Sequence, residues 1–177
     1  MIAGIAACAG VARADGPVEM RNTISLGVPA LFERGLAVEG ERDVPEWRVS
    51  IAAALAMRAS AGGDYGSFGG ALGAEGRYWI LRRAIWSARP RGDAIGWYVG
   101  ARIDLAHTRV TMDGERIGAE RQLALGLVTG YRFAPWRGLE VRPYTGIAWR
   151  REWDPDGRLP PWSRGGLVLG FALGWSW

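Results

Sequence analysis

The chain has 177 residues, among them 27 Gly, 10 Trp and one Cys, a length that suits a single domain with its own core. Its net charge of +4 comes from 22 basic residues that are all Arg and lie spread among Glu and Asp, not clustered into the patch that nucleic-acid binding requires. A mean hydropathy of −0.03 and the lack of any run of ~18 apolar residues exclude a helical membrane protein, but not a β-barrel, whose strands carry a weaker signal.

Residues 1–14 are apolar and small, closing in Ala12-Arg13-Ala14 before Asp15. This resembles the end of a secretory signal peptide with an A-x-A cleavage site, leaving 15–177 as one domain. Ile5-Ala6-Ala7-Cys8 offers a rival reading, a lipobox that would make Cys8 a lipidated N-terminus. Cleavage after Ala14 would leave the mature chain without cysteine and without a disulfide.

The first strand is expected over 22–31, where Ile24, Leu26, Val28 and Ala30 alternate with Thr23, Ser25, Gly27 and Pro29. After a turn at 32–35, a second strand over 36–42 sets Leu36, Val38 and Gly40 against Ala37, Glu39 and Glu41. Residues 43–46, with Pro45, read as a turn. The third strand, 47–58, opposes Trp47, Val49, Ile51, Ala53, Leu55 and Met57 to Arg48, Ser50, Ala52, Ala54, Ala56 and Arg58. An Ala-rich helix is the alternative there. A Gly-rich loop is expected over 60–67. The fourth strand, 68–81, places Leu72, Ala74, Tyr78 and Ile80 opposite Gly73, Glu75, Arg77 and Trp79, with Trp79 oddly large for its face. Residues 82–93 are either a long connection or a continuation of that strand.

The second half alternates more cleanly. Over 95–108, Ile95, Trp97, Val99, Ala101, Ile103 and Leu105 oppose Gly96, Tyr98, Gly100, Arg102, Asp104 and Ala106. Asp113-Gly114 signals a hairpin turn. Over 121–133, Leu123, Leu125, Leu127, Thr129, Tyr131 and Phe133 face away from Gln122, Ala124, Gly126, Val128, Gly130 and Arg132. A seventh strand over 139–150 sets Ile147 and Trp149 against Glu140, Arg142, Tyr144 and Arg150. A loop over 154–163 precedes the last strand, 165–177, where Leu167, Leu169, Phe171, Leu173, Trp175 and Trp177 alternate with Gly, Val, Ala and Ser. Eight strands joined by short links make an all-β, antiparallel up-and-down barrel.

Two such barrels are possible, each the other turned inside out. A soluble lipocalin-like carrier would point its bulky face inward. Here the other face is mostly Gly and Ala, which suits a narrow lumen of ~8 strands, and its charges come in both signs. Glu39, Glu41, Glu75, Asp104 and Glu140 can pair there with Arg48, Arg77, Arg102, Arg132, Arg142 and Arg150. With the N-terminus periplasmic, Trp47, Tyr78, Trp97, Tyr131, Phe133, Trp175 and Trp177 fall at one rim and Trp149 near the other, as two interfacial belts of a bilayer would require. A transmembrane barrel is therefore expected, with the lumen filled and no open pore.

The alternating strands and the aromatic C-terminal strand resemble the small bacterial outer-membrane β-barrels that include the transmembrane domain of OmpA. In addition, Asn22-Thr23-Ile24-Ser25-Leu26, Leu31-Phe32 and Val38-Glu39 resemble the first hairpin of an outer-membrane barrel family of unknown function. The resemblance implies a monomer in the outer membrane with both termini periplasmic. Its implied partners are membrane lipid, lipopolysaccharide and the barrel-assembly machinery. It also makes Phe171, Trp175 and Trp177 the assembly signal; Ala172 stands where that signal usually has Gly.

No nucleophile motif, phosphate-binding loop or metal-ligand cluster stands out, so neither catalysis nor a cofactor is expected. The alternative is a lipid A-modifying hydrolase built on His107, the sole His, with Ser60, Ser67 or Ser163 at the same level.

Overall fold

The computed structural model describes residues 22–29, 35–62, 64–83, 95–136, 138–157 and 160–177. The proposed signal segment with Cys8, most of the turn expected at 32–35 and most of the connection expected at 82–93 lie outside them. The described residues form eight strands: β1 (Asn22–Pro29), β2 (Gly35–Val44), β3 (Val49–Gly62), β4 (Tyr65–Arg83), β5 (Ile95–Met112), β6 (Glu115–Trp136), β7 (Leu139–Trp153) and β8 (Trp162–Ser176). Each pairs antiparallel with the next, and β1 pairs with β8 from Thr23↔Ser176 to Pro29↔Gly170, closing the ring. Among the described residues closure leaves no edge strand, so the backbone of the ring bonds from strand to strand within the sheet.

Period-two alternation decides what each strand shows to either side. Ile24, Leu26, Leu55, Leu72, Leu127, Ile147, Leu167 and Leu173 all point outward and are exposed, whereas Ser25, Glu41, Ser50, Glu75, Arg77, Arg132, Glu140 and Arg142 are buried inside. Large apolar groups outside and charges inside invert the arrangement of a water-soluble barrel. That surface is stable only when hydrocarbon, not water, solvates it. The soluble lipocalin-like alternative fails on this point.

Several boundaries differ from the sequence reading, each for a local reason. β2 runs through Asp43 to Val44, so Asp43, read as a turn residue, is buried in the lumen. A 3₁₀ turn over Pro45–Trp47 follows, and Arg48 takes a left-handed backbone with φ of 54°. Arg48 therefore leaves the strand alternation; it is exposed at the rim and does not join the lumenal charges. Its carbonyl instead accepts the backbone N–H of Trp79 at 2.9 Å. Residues 60–67 are not an open Gly-rich loop: β3 and β4 continue in register through Ser60↔Ser67 and Ala61↔Gly66 to Gly62↔Tyr65. β4 extends to Arg83, beyond the boundary first drawn. The Asp113-Gly114 turn has φ of 53° and 81°, the paired left-handed conformations of the hairpin turn whose twist matches the flanking strands.

Candidate functional site

The lumen near the chain termini is filled by one charged knot. Arg77 on β4 donates to Glu75 at 2.6 Å and to Glu39 at 2.8 Å, and pairs with Glu41. Arg132 on β6 pairs with Glu41, with Asp43 at 3.3 Å and with Glu140 at 3.2 Å. Arg142 on β7 bridges Glu39 and Glu41, and reaches Ser25 on β1 at 3.3 Å. Glu41 is thus the hub, held by three guanidiniums from three strands. Unpaired charges could not persist at such burial, but a fork of planar donors around one carboxylate meets the desolvation cost with several charge-assisted bonds.

Aromatic groups complete the plug. Trp79, fully buried, donates its indole N–H to Ser50 Oγ at 3.2 Å and lies 5.3 Å from the Tyr98 ring. The Arg132 guanidinium stacks 4.4 Å over Trp79, and that of Arg77 lies 5.4 Å from the Tyr98 ring centre. The size of Trp79 on a small-residue face is explained by this position, where its ring fills the lumen against Tyr98 and Val128. At Gly130 the Tyr98 hydroxyl would stand 2.6 Å from any added Cβ, so only Gly admits the ring.

Toward the other end the charges thin out. Arg102 binds Asp104 on its own strand at 2.7 Å. Between them and Tyr144 lies a cavity of about 30 Å³, room for a water molecule. Ala37, Ala56, Ala71 and Ala106 then form an apolar wall of short side chains. Beyond that wall the lumen opens into a polar mouth lined by Arg58, Gln122, Arg150, Glu152 and Arg164. Arg150 is therefore lumenal, but it lies in this mouth and not in the knot.

Of the residues singled out from the sequence, Glu39, Glu41, Glu75, Arg77, Arg132, Glu140 and Arg142 meet in the knot, whereas Arg102 with Asp104 and Arg150 stand apart from it. Asp43, Tyr98, Glu120, Gln122, Glu152 and Arg164 had not been singled out. The alternation Glu39, Glu41, Asp43 was the available signal for Asp43. Glu120, Glu152 and Arg164 lay outside the strand limits drawn from the sequence.

On the outer face, Trp47, Tyr78, Trp97, Phe133, Trp175 and Trp177 are exposed. Trp97 and Tyr131 sit opposite each other in register with ring centres 6.2 Å apart, and Tyr131 and Phe133 are 4.5 Å apart. Trp97 donates to Thr129 Oγ1 at 2.7 Å. Trp149 is outward and exposed toward the mouth end, followed by the exposed Arg151. Phe171 is outward on β8. His107 also faces outward, at the upper edge of a shallow groove of about 940 Å³ with Leu72, Leu105, Arg109, Arg121 and Trp153. Ser60 and Ser67 line the mouth on the other side of the sheet, sharing a hydrogen bond of 2.7 Å, so neither hydroxyl is placed as a nucleophile with His107 as its base. Among the described residues no group of three or more His, Cys, Asp or Glu is placed to hold a metal ion.

Two outer-membrane proteins share this barrel. Neisserial surface protein A matches with a TM-score of 0.51 at 14% identity, covering 88% of this chain and 93% of that one. A major outer membrane protein from Thermus thermophilus matches with a TM-score of 0.50 at 13% identity, covering 90% and 100%. No protein-family model and no curated protein sequence matches the chain. At these identities the likeness concerns the fold, eight strands closed in one ring.

Proposed function

We propose that this protein is a small outer-membrane β-barrel with a structural or surface-interaction role, without catalysis and without an open pore. The observation that carries the reading is the sealed, inside-out section: Glu41 held by Arg77, Arg132 and Arg142 across the lumen, with Leu and Ile around the outside. A solute would have to break that knot, at several kcal/mol for each buried pair. The fold shared with two outer-membrane proteins supports the location.

In this reading the exposed aromatic cluster at the termini end lies at the periplasmic interface, Trp149 marks the outer one, and both termini are periplasmic. The groove under Arg109, Arg121 and His107 contacts acyl chains while its guanidiniums meet anionic headgroups of lipopolysaccharide. Phe171, Trp175 and Trp177 are the part read by the barrel-assembly machinery, and the protein works as a monomer. The test is cell fractionation combined with gel mobility before and after boiling. An outer-membrane band that migrates differently when unboiled is expected; a heat-insensitive band in a soluble fraction would overturn the reading.

A further inference from the structure

The polar mouth at the end opposite the termini is a chamber of about 390 Å³. Three guanidiniums enter it from three strands: Arg58 on β3, Arg150 on β7 and Arg164 on β8. Arg58 Nη1 donates to Gln122 Oε1 at 3.1 Å, which fixes the orientation of that amide. The other end of the amide, Nε2, is then a buried donor with no hydrogen-bond partner, although Gln122 is only 8% exposed. A buried amide donor left so is unfavourable, and an acceptor brought into the chamber would relieve it.

Among the described lining residues the carboxylates are Glu120 and Glu152. Glu152 has an ion pair with Arg164 at 3.5 Å. Glu120, on β6 five residues past Leu125, the register partner of the rim residue Trp149, has its pKa pushed up to about 7 by burial and then by the hydrogen bond and charge of Glu152; Arg164 and Arg58 oppose the rise. The rest of the lining is Arg150 on β7, Thr108 opposite Glu120 on β5, Ser67 on β4, and Ala59 and Ser60 on β3. Among the described lining residues three guanidiniums stand against two carboxylates, one positive charge in excess, and two once Glu120 takes up its proton.

We infer that this chamber is a binding site for a small water-borne oxyanion of the sulfate or phosphate class, held by Arg58, Arg150 and Arg164 and by the free N–H of Gln122. Tetrahedral oxyanions accept several charge-assisted bonds at once, which matches donors converging from different walls. The ligand is water-borne because the sheet itself separates the chamber from the apolar outer face, where a lipid's chains would have to lie. Binding tightens as the medium is acidified, since protonated Glu120 no longer repels the anion. One linked proton limits the change to about tenfold per pH unit.

The test is calorimetric titration with sulfate, which does not itself titrate near neutrality, into the full folded chain in non-ionic detergent at constant ionic strength. Saturable binding is expected at pH 6, weaker by about tenfold at pH 8. R164Q, whose side chain is half-exposed, should weaken binding about fivefold or more, in line with the loss of one charge-assisted bond. E120Q should remove the pH dependence while keeping the affinity seen at pH 6. Gel mobility before boiling confirms that each variant is folded. Failure to see saturable binding at pH 6, or R164Q binding as well as the parent, would overturn the inference, as would a pH dependence that survives E120Q. A chain that fails to fold as a heat-modifiable barrel would count against the proposed function instead.

Discussion

Arg132 offers the sharpest test of how the lumen is held together. It is fully buried, pairs with Glu41, Asp43 and Glu140, and stacks on Trp79. R132M keeps much of the side-chain volume over the indole but removes the charge, leaving Arg77 and Arg142 as the remaining guanidiniums of the knot for Glu39, Glu41, Asp43, Glu75 and Glu140. Breaking a buried pair by deleting one partner costs about 3–5 kcal/mol, because the remaining charge stays desolvated. The control is R102M. Arg102 has one carboxylate partner, Asp104, and both side chains keep 15–19% of their surface open, so water can re-solvate the survivor and the loss should be about 1–2 kcal/mol. Urea unfolding of the refolded barrel in detergent, followed by the fraction running as the unboiled form, measures both. A large loss for R132M beside a small one for R102M is expected. Equal losses, or an R132M within about 1 kcal/mol of the parent, would refute the idea that the knot is the principal electrostatic element of the fold.

Other expectations follow from close contacts, titration and the terminal strand. G130A places a Cβ 2.6 Å from the Tyr98 hydroxyl and 2.7 Å from the Pro143 carbonyl oxygen, and should lower stability by about 1–3 kcal/mol in the same urea assay. Glu120 makes stability fall as pH rises. Its folded pKa of about 7 exceeds the unfolded value of 4.5, so the folded chain binds more protons between the two, and the unfavourable contribution grows through that window and levels off above it. Unfolding midpoints from about pH 4 to 8.5 should decline in the parent and flatten in E120Q; identical profiles would exclude Glu120 as the source. Truncation of Trp177, or W175A with W177A, should reduce the outer-membrane, heat-modifiable fraction in cells. Unimpaired assembly would remove the terminal aromatics from the assembly signal.

Much of the barrel could be read one strand at a time. The alternation of Leu and Ile with Gly, Ala and charged residues sorted outward from inward positions, because in an extended chain neighbouring side chains leave on opposite sides. The errors fell where the backbone departs from that rule. Arg48, on the small face by parity, sits at a left-handed residue after a 3₁₀ turn, and parity does not carry through such a bend. The hairpin over 60–67 looked like a loop because Gly and Ser have poor strand propensity, yet pairing with a neighbour decides strand formation more than propensity does.

The sequence by itself determined that the chain forms strands, which face of each is bulky, and that the charges share the small face. These are local properties, set by residue order. The tertiary structure alone decided which charges meet. Arg77 and Arg132 reach Glu41 across separations of 36 and 91 residues, while Arg102 closes on its own strand and Arg150 joins the far chamber. Such meetings depend on ring closure and on the stagger of one strand against the next. The same closure brings Gln122, Glu120 and Glu152 beside Arg58, Arg150 and Arg164, and so builds a mouth whose chemistry no single strand contains.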